Sequence, residues 1–151
     1  MKQQSKRQAV NPYLPLYEYI PDGEPHVFGD RLYLYGSHDR FDGRKFCEND
    51  YVCWSAPVTD LAVRGDYLPP HPGPPHAPRG TRTVGPDVVQ GKDGRYYLYY
   101  CPDDKVKSIG VAVCDTPAGH YMFYGVVRDR EGGILGERPG DTIPFDPGAF
   151  R

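Results

Sequence analysis

The 151-residue sequence has no apolar run approaching the roughly 20 residues of a membrane-spanning helix, so no membrane partner is expected. A charge excess is missing too. Eighteen Lys and Arg stand against 20 Asp and Glu, a net charge of −2, without the basic footprint that binding nucleic acid requires. Residues 1–13 carry Lys2, Lys6 and Arg7 but no apolar stretch behind them. They read as no secretory signal, with residues 1–10 a flexible tail and the chain cytoplasmic. Cysteine is sparse: Cys47, Cys53, Cys101 and Cys114 include no C-x2-C pair, so zinc is not indicated, and a reducing compartment argues against disulfides. His71, His76 and His120 lack ligand spacing, and Gly132-Gly133-Ile134-Leu135-Gly136 lacks the Lys-Ser/Thr of a phosphate-binding loop. No metal and no cofactor is expected. Helix signals are essentially absent.

What is abundant is turn chemistry and aromatic surface. Eighteen Gly and 17 Pro make up nearly a quarter of the chain, yet 13 Tyr, 6 Phe and 1 Trp set it apart from aromatic-poor disordered sequences. Many turns and many aromatics together predict short strands in an all-β domain.

The chain also repeats itself. Arg31-Leu32-Tyr33-Leu34-Tyr35 and Arg95-Tyr96-Tyr97-Leu98-Tyr99 share an Arg-x-Tyr-Leu-Tyr core. Short apolar runs precede both (Val27-Phe28; Val88-Val89) and follow both (Tyr51-Val52-Cys53-Trp54-Ser55; Ile109-Gly110-Val111-Ala112-Val113). Gly29-Asp30 and Lys92-Asp93-Gly94 are hairpin turns, and an outer strand is expected near Tyr121 to Val127. Units of about 60 residues with three or four antiparallel strands are the blades of a β-propeller.

The repeat places carboxylates as well. Asp22 and Asp87 are each expected to open the first strand of a copy, and Asp146 stands where a third copy would begin. Equivalent ends of inner strands converge at one mouth of a propeller channel, which suits chemistry on a ligand there. The plainer alternative is that Asp beside Pro starts a turn, and for Asp146 that reading is preferred. Ser37-His38-Asp39 is no catalytic triad, because neighbours on an extended chain point to opposite faces. His38 and Asp39 at a strand end remain candidate contacts to a polar ligand, and His26 is either a core or a channel-lining residue. Trp54 and the tyrosines are mainly core.

Pro21-Asp22-Gly23-Glu24-Pro25-His26-Val27-Phe28 with Tyr33-Leu34-Tyr35-Gly36-Ser37-His38-Asp39 resembles the opening of glycoside hydrolase family 43. Residues 86–100, from Pro86-Asp87-Val88-Val89 to Tyr97-Leu98-Tyr99-Tyr100, resemble its second blade, and Thr116-Pro117-Ala118-Gly119 with Phe123-Tyr124-Gly125 is similar to that blade's ending. The resemblance implies an N-terminal portion, residues 11–151, of a five-bladed propeller: two blades and the start of a third. It implies inverting hydrolysis of O-glycosidic bonds in arabinose- or xylose-containing carbohydrate, with Asp22 the general base and Asp87 the aspartate that orients the acid and tunes its pKa. His26, His38 and Asp39 would contact substrate. The family's general acid is a glutamate of a later blade, and Glu131 and Glu137 lie in the wrong repeat, so the chain alone is expected to be inactive. The alternatives are a non-catalytic carbohydrate-binding propeller fragment and a purely structural β-repeat.

Residues 62–85 fit this pattern poorly, with 6 Pro and 4 Gly in 24 residues. A Pro-rich loop is one explanation. A reading-frame slip is the preferred one, because synonymous codons read one base later restore strand-like sequence and a Leu-Trp-Ala before Pro86. The gene sequence decides between them.

Overall fold

The computed structural model describes residues 14, 17–59, 61, 66–68, 83–102 and 108–151, with 66–68 as backbone only. Eight strands form two four-stranded antiparallel sheets. The first runs β1 (Glu24–Phe28), β2 (Arg31–Gly36), β3 (Val52–Pro57) and β4 (Asp66–Leu68), in that spatial order. The second runs β5 (Thr83–Gln90), β6 (Tyr96–Pro102), β7 (Gly110–Cys114) and β8 (Met122–Val126). Each is a meander of the kind that forms one propeller blade, and the outer strand expected near Tyr121 is β8.

Local chemistry explains the hairpins. Gly29 takes φ 63° in the two-residue turn between Phe28 and Arg31, a conformation Gly adopts without penalty. The corresponding turn of the second blade is one residue longer and is closed by Gly91 N–H donating to Arg95 O at 2.8 Å. β4 falls within the Pro/Gly-rich segment, pairing Tyr67 with Trp54, and Thr83 to Gly85 of the same segment belong to β5. The rest of that segment, like residues 1–10, His71 and His76, lies outside the described residues.

Alternation on the strands then makes the core. Tyr33 and Tyr35 of β2 point toward the second sheet and pack with Val88, Leu98, Tyr100 and Ala112. Leu34, on the opposite face, joins Val52, Trp54, Leu14 and Ile20 in a smaller cluster. Two tyrosine hydroxyls cross between blades: Tyr51 donates to Val84 O at 3.1 Å and Tyr35 to Pro117 O at 2.6 Å. Burial raises the hydroxyl pKa of both, so they stay protonated donors. All four cysteines are free thiols. The far face of the second blade carries an open groove of about 610 Å³ lined by Tyr97, Tyr99, Val111, Phe123 and Tyr124. Among the described residues no helix is long and apolar enough to cross a membrane.

Candidate active site

Strand register corrects the expected equivalence of Asp22 and Asp87. Glu24 pairs with Tyr35 as Asp87 pairs with Tyr99, so Asp87 corresponds to Glu24. Two residues earlier in each blade stand Asp22 and Gly85. Asp22 therefore precedes β1, whereas Asp87 sits inside β5, just past the irregularity between Val84 and Asp87. The extra residue in the second hairpin turn shifts the inner strand against the Arg-x-Tyr-Leu-Tyr strand. Counting from the repeat core alone therefore misplaces the acid.

The backbone supports the corrected alignment. Asp22, Gly85 and Asp146 all enter with left-handed φ, at 53°, 56° and 47°. For a side chain bearing Cβ this conformation costs about 1–2 kcal/mol, and Asp is among the residues that tolerate it best. Such strain concentrates at functional sites. A Cβ on Gly85 would lie 2.6 Å from Asp146 Oδ1, so the glycine is what lets the Asp146 carboxyl lie over β5. Its N–H donates to the buried Ser37 Oγ at 3.3 Å, fixing the end of β2 against β5.

Asp146 is also close enough to Asp22 to feel its charge. Burial raises the Asp146 pKa and the Asp22 carboxylate raises it further. Gly85→Ala is expected to cost about 1–2 kcal/mol through its left-handed φ, with more from the clash, and to displace Asp146. Urea unfolding measures the first effect and a carboxyl NMR titration the second.

Asp87 has a different setting. It is 4% exposed and accepts three N–H groups: His26 Nε2 on Oδ1 at 2.5 Å, Val88 N on Oδ1 at 2.7 Å and Ala149 N on Oδ2 at 2.5 Å. Burial pushes its pKa up, but the His26 bond and the two amides outweigh that and hold it below the ordinary carboxylate value. A depressed acid stabilises the fold above its unfolded pKa, and that contribution disappears as pH falls through the folded value. Asp146, raised, contributes in the opposite sense. Urea midpoints are therefore expected to fall below about pH 4, with a shallower fall in Asp87→Ala than in the unmodified chain.

The remaining predicted residues divide by what they touch. His26 stacks on Phe28 with ring centroids 5.8 Å apart and gives its Nε2–H to Asp87, so that nitrogen is engaged inside the protein. His38 Nε2 lies 3.1 Å from Glu18 Oε2. Asp39 Oδ1 accepts the Cys47 amide at 2.7 Å and its backbone O accepts Asn49 Nδ2 at 3.3 Å, which shapes the loop after β2. Neither meets the Asp22–Asp146 pair through a described contact. Among the described residues no group of three or more His, Cys, Asp or Glu could hold a metal ion. Gly85 and Ala149 carry no signal of a site role in the sequence, and Ser37, set aside above as a triad member, instead accepts the Gly85 amide; each acts through its position in the folded chain. Only the repeat offset by one residue hints at Gly85.

No family model matches the chain. It is 56% identical over 145 residues to a xylosidase/arabinosidase of Thermoclostridium stercorarium, covering 94% of this chain and 30% of that protein. It is 33% identical over 116 residues to xylosidase/arabinosidase 43A of Humicola insolens, covering 68% and 34%. The solved structure of CoXyl43, a GH43 β-xylosidase/α-arabinofuranosidase from a compost microbial metagenome, matches with TM-score 0.61 and 27% identity over 84% of this chain and 44% of that one. The chain belongs to glycoside hydrolase family 43. An exo-β-1,3-galactanase of Clostridium thermocellum shares the fold of this family 43 chain at TM-score 0.59 and 20% identity, covering 78% and 27%. The chain spans about a third of the length of the curated relatives it matches. Its two sheets are two blades of the family's β-propeller.

Proposed function

We propose that this chain supplies the general-base side of an inverting glycosidase acting on xylose- or arabinose-containing glycans. The observation that carries the reading is the pair of acids, Asp22 and Asp146, entering the first and third repeats with the same left-handed backbone and within electrostatic reach of each other. Asp22 is exposed before β1 and takes the proton from the attacking water. The Asp146 charge favours proton uptake by a carboxyl sharing the mouth, which is the pKa-tuning part that resemblance alone gave to Asp87. Asp87, with both oxygens engaged by N–H donors, suits a supporting part better. Inversion requires an acid roughly 6.5–9.5 Å from the base across the sugar. Glu131, paired with Arg138, and Glu137 lie on the segment after β8 of the second blade, the wrong repeat for that acid, which we place outside these residues. The substrate class rests on the names of the relatives.

Hydrolysis of 4-nitrophenyl β-xyloside and α-L-arabinofuranoside tests the reading, with NMR following the anomer released. No turnover is expected from the 151 residues alone, and inverted product once the later blades are present. Retained product, or turnover by the 151 residues that disappears in Asp22→Asn, overturns it. Sugar binding without turnover in the blade-complete protein would favour a non-catalytic carbohydrate-binding propeller.

A further inference from the structure

We propose that His26 and Asp87 form a clamp joining three successive repeats, and that the clamp sets the distance between Asp146 and Asp22. The inference rests on the acid-pair reading above. His26 belongs to β1 and Asp87 to β5, while Ala149 lies three residues past Asp146. One carboxylate therefore ties blade one, blade two and the entry to the third repeat.

The bonding is directional. Oδ1 takes His26 Nε2 and Val88 N, Oδ2 takes Ala149 N, and the buried carboxylate has one orientation that serves all three donors. The His26 ring is itself set by Phe28 beneath it and by Tyr35, 6.4 Å away and tilted. Without the His26 donor the Asp87 carboxylate keeps only its two backbone amides, one on each oxygen, and is less firmly oriented toward the Ala149 amide. The chain at Asp146 then has a weaker anchor three residues away, although Gly85 still leaves room for its carboxyl. Asp146 is faced by Asp22 from the entry to β1, by Gly85 from β5 and by the Cys101 thiol from β6. Burial raises that thiol's pKa, so it is neutral at pH 7 and Asp22 is the group whose charge reports the distance. His26 and Asp87 are thus positioning residues, acting through Ala149.

The test is a carboxyl NMR titration of Asp146 in the 151-residue chain, with the Ala149 amide proton as a local reporter and circular dichroism verifying the fold. His26→Phe keeps an aromatic ring on Phe28 but removes the donor; His26→Asn keeps polarity but falls short of Asp87. In either variant the Ala149 amide proton is expected to move upfield and the Asp146 midpoint to fall by several tenths of a pH unit. His26→Gln, whose amide N–H can reach Asp87, should recover most of both shifts. An unchanged Asp146 midpoint in a folded His26→Phe or His26→Asn variant overturns the clamp. Asp22→Asn separates the two ideas. If it lowers the Asp146 midpoint while the His26 variants do not, the acid pair stands and only the clamp fails. If it leaves Asp146 unmoved, the pair fails and takes the clamp with it.

Discussion

Asp22→Asn is expected to lower glycoside hydrolysis by about 10²–10⁴-fold, the usual contribution of a general base, when the later blades are present. The amide occupies nearly the same space but cannot take a proton from water. Asp22 is exposed and stands before β1, so the thermal transition should be unaffected. The loss should fall on kcat, because water activation is needed only as the sugar–oxygen bond breaks. A large rise in KM with kcat intact would instead make Asp22 a substrate-binding group. Its left-handed φ of 53° separates a backbone role from a chemical one. Asn tolerates this region as well as Asp does, so a lost rate in Asp22→Asn reports the charge and not the turn.

Asp87→Ala should produce the largest loss of stability. It removes the acceptor of three N–H donors, of which the Val88 amide is buried and those of His26 and Ala149 partly so. A buried unsatisfied group costs about 1–3 kcal/mol, and the two others add to that by less. Against the 5–15 kcal/mol typical of a folded domain this is a large fraction, readable as a fall in the urea midpoint. Asp93→Ala is the control. Asp93 also accepts three bonds, from the Arg95 side chain and amide and from the Tyr97 hydroxyl, but its side chain is 42% exposed and water can replace them. Its midpoint should hardly move. Equal losses in the two variants would mean that burial is not what makes Asp87 important.

The blade architecture was legible because its signals are local. Gly29-Asp30 and Lys92-Asp93-Gly94 specify hairpin turns, and the Arg-x-Tyr-Leu-Tyr strands alternate faces whichever partners they meet. β4 was not legible, since three residues amid prolines and glycines carry no period. Asp22, Asp87 and Asp146 could be picked out as recurring acids, but not sorted. That sorting depends on one added residue in a hairpin turn, which moves Asp87 into the position of Glu24 and Gly85 into that of Asp22. The His26–Asp87 bond spans 61 residues, and no local pattern announces such a pair.

Because each sheet pairs its strands in chain order, a blade can assemble while the next is still being synthesised. At a translation rate of 5–20 residues per second, His26 leaves the peptidyl-transfer centre about 3–12 s before Asp87 does, and Ala149 follows after a similar interval. For that time the first blade exposes Tyr33 and Tyr35 with no second blade to cover them. Pausing of the ribosome between β4 and β5 would lengthen this exposure and offer more time for chaperone capture or aggregation.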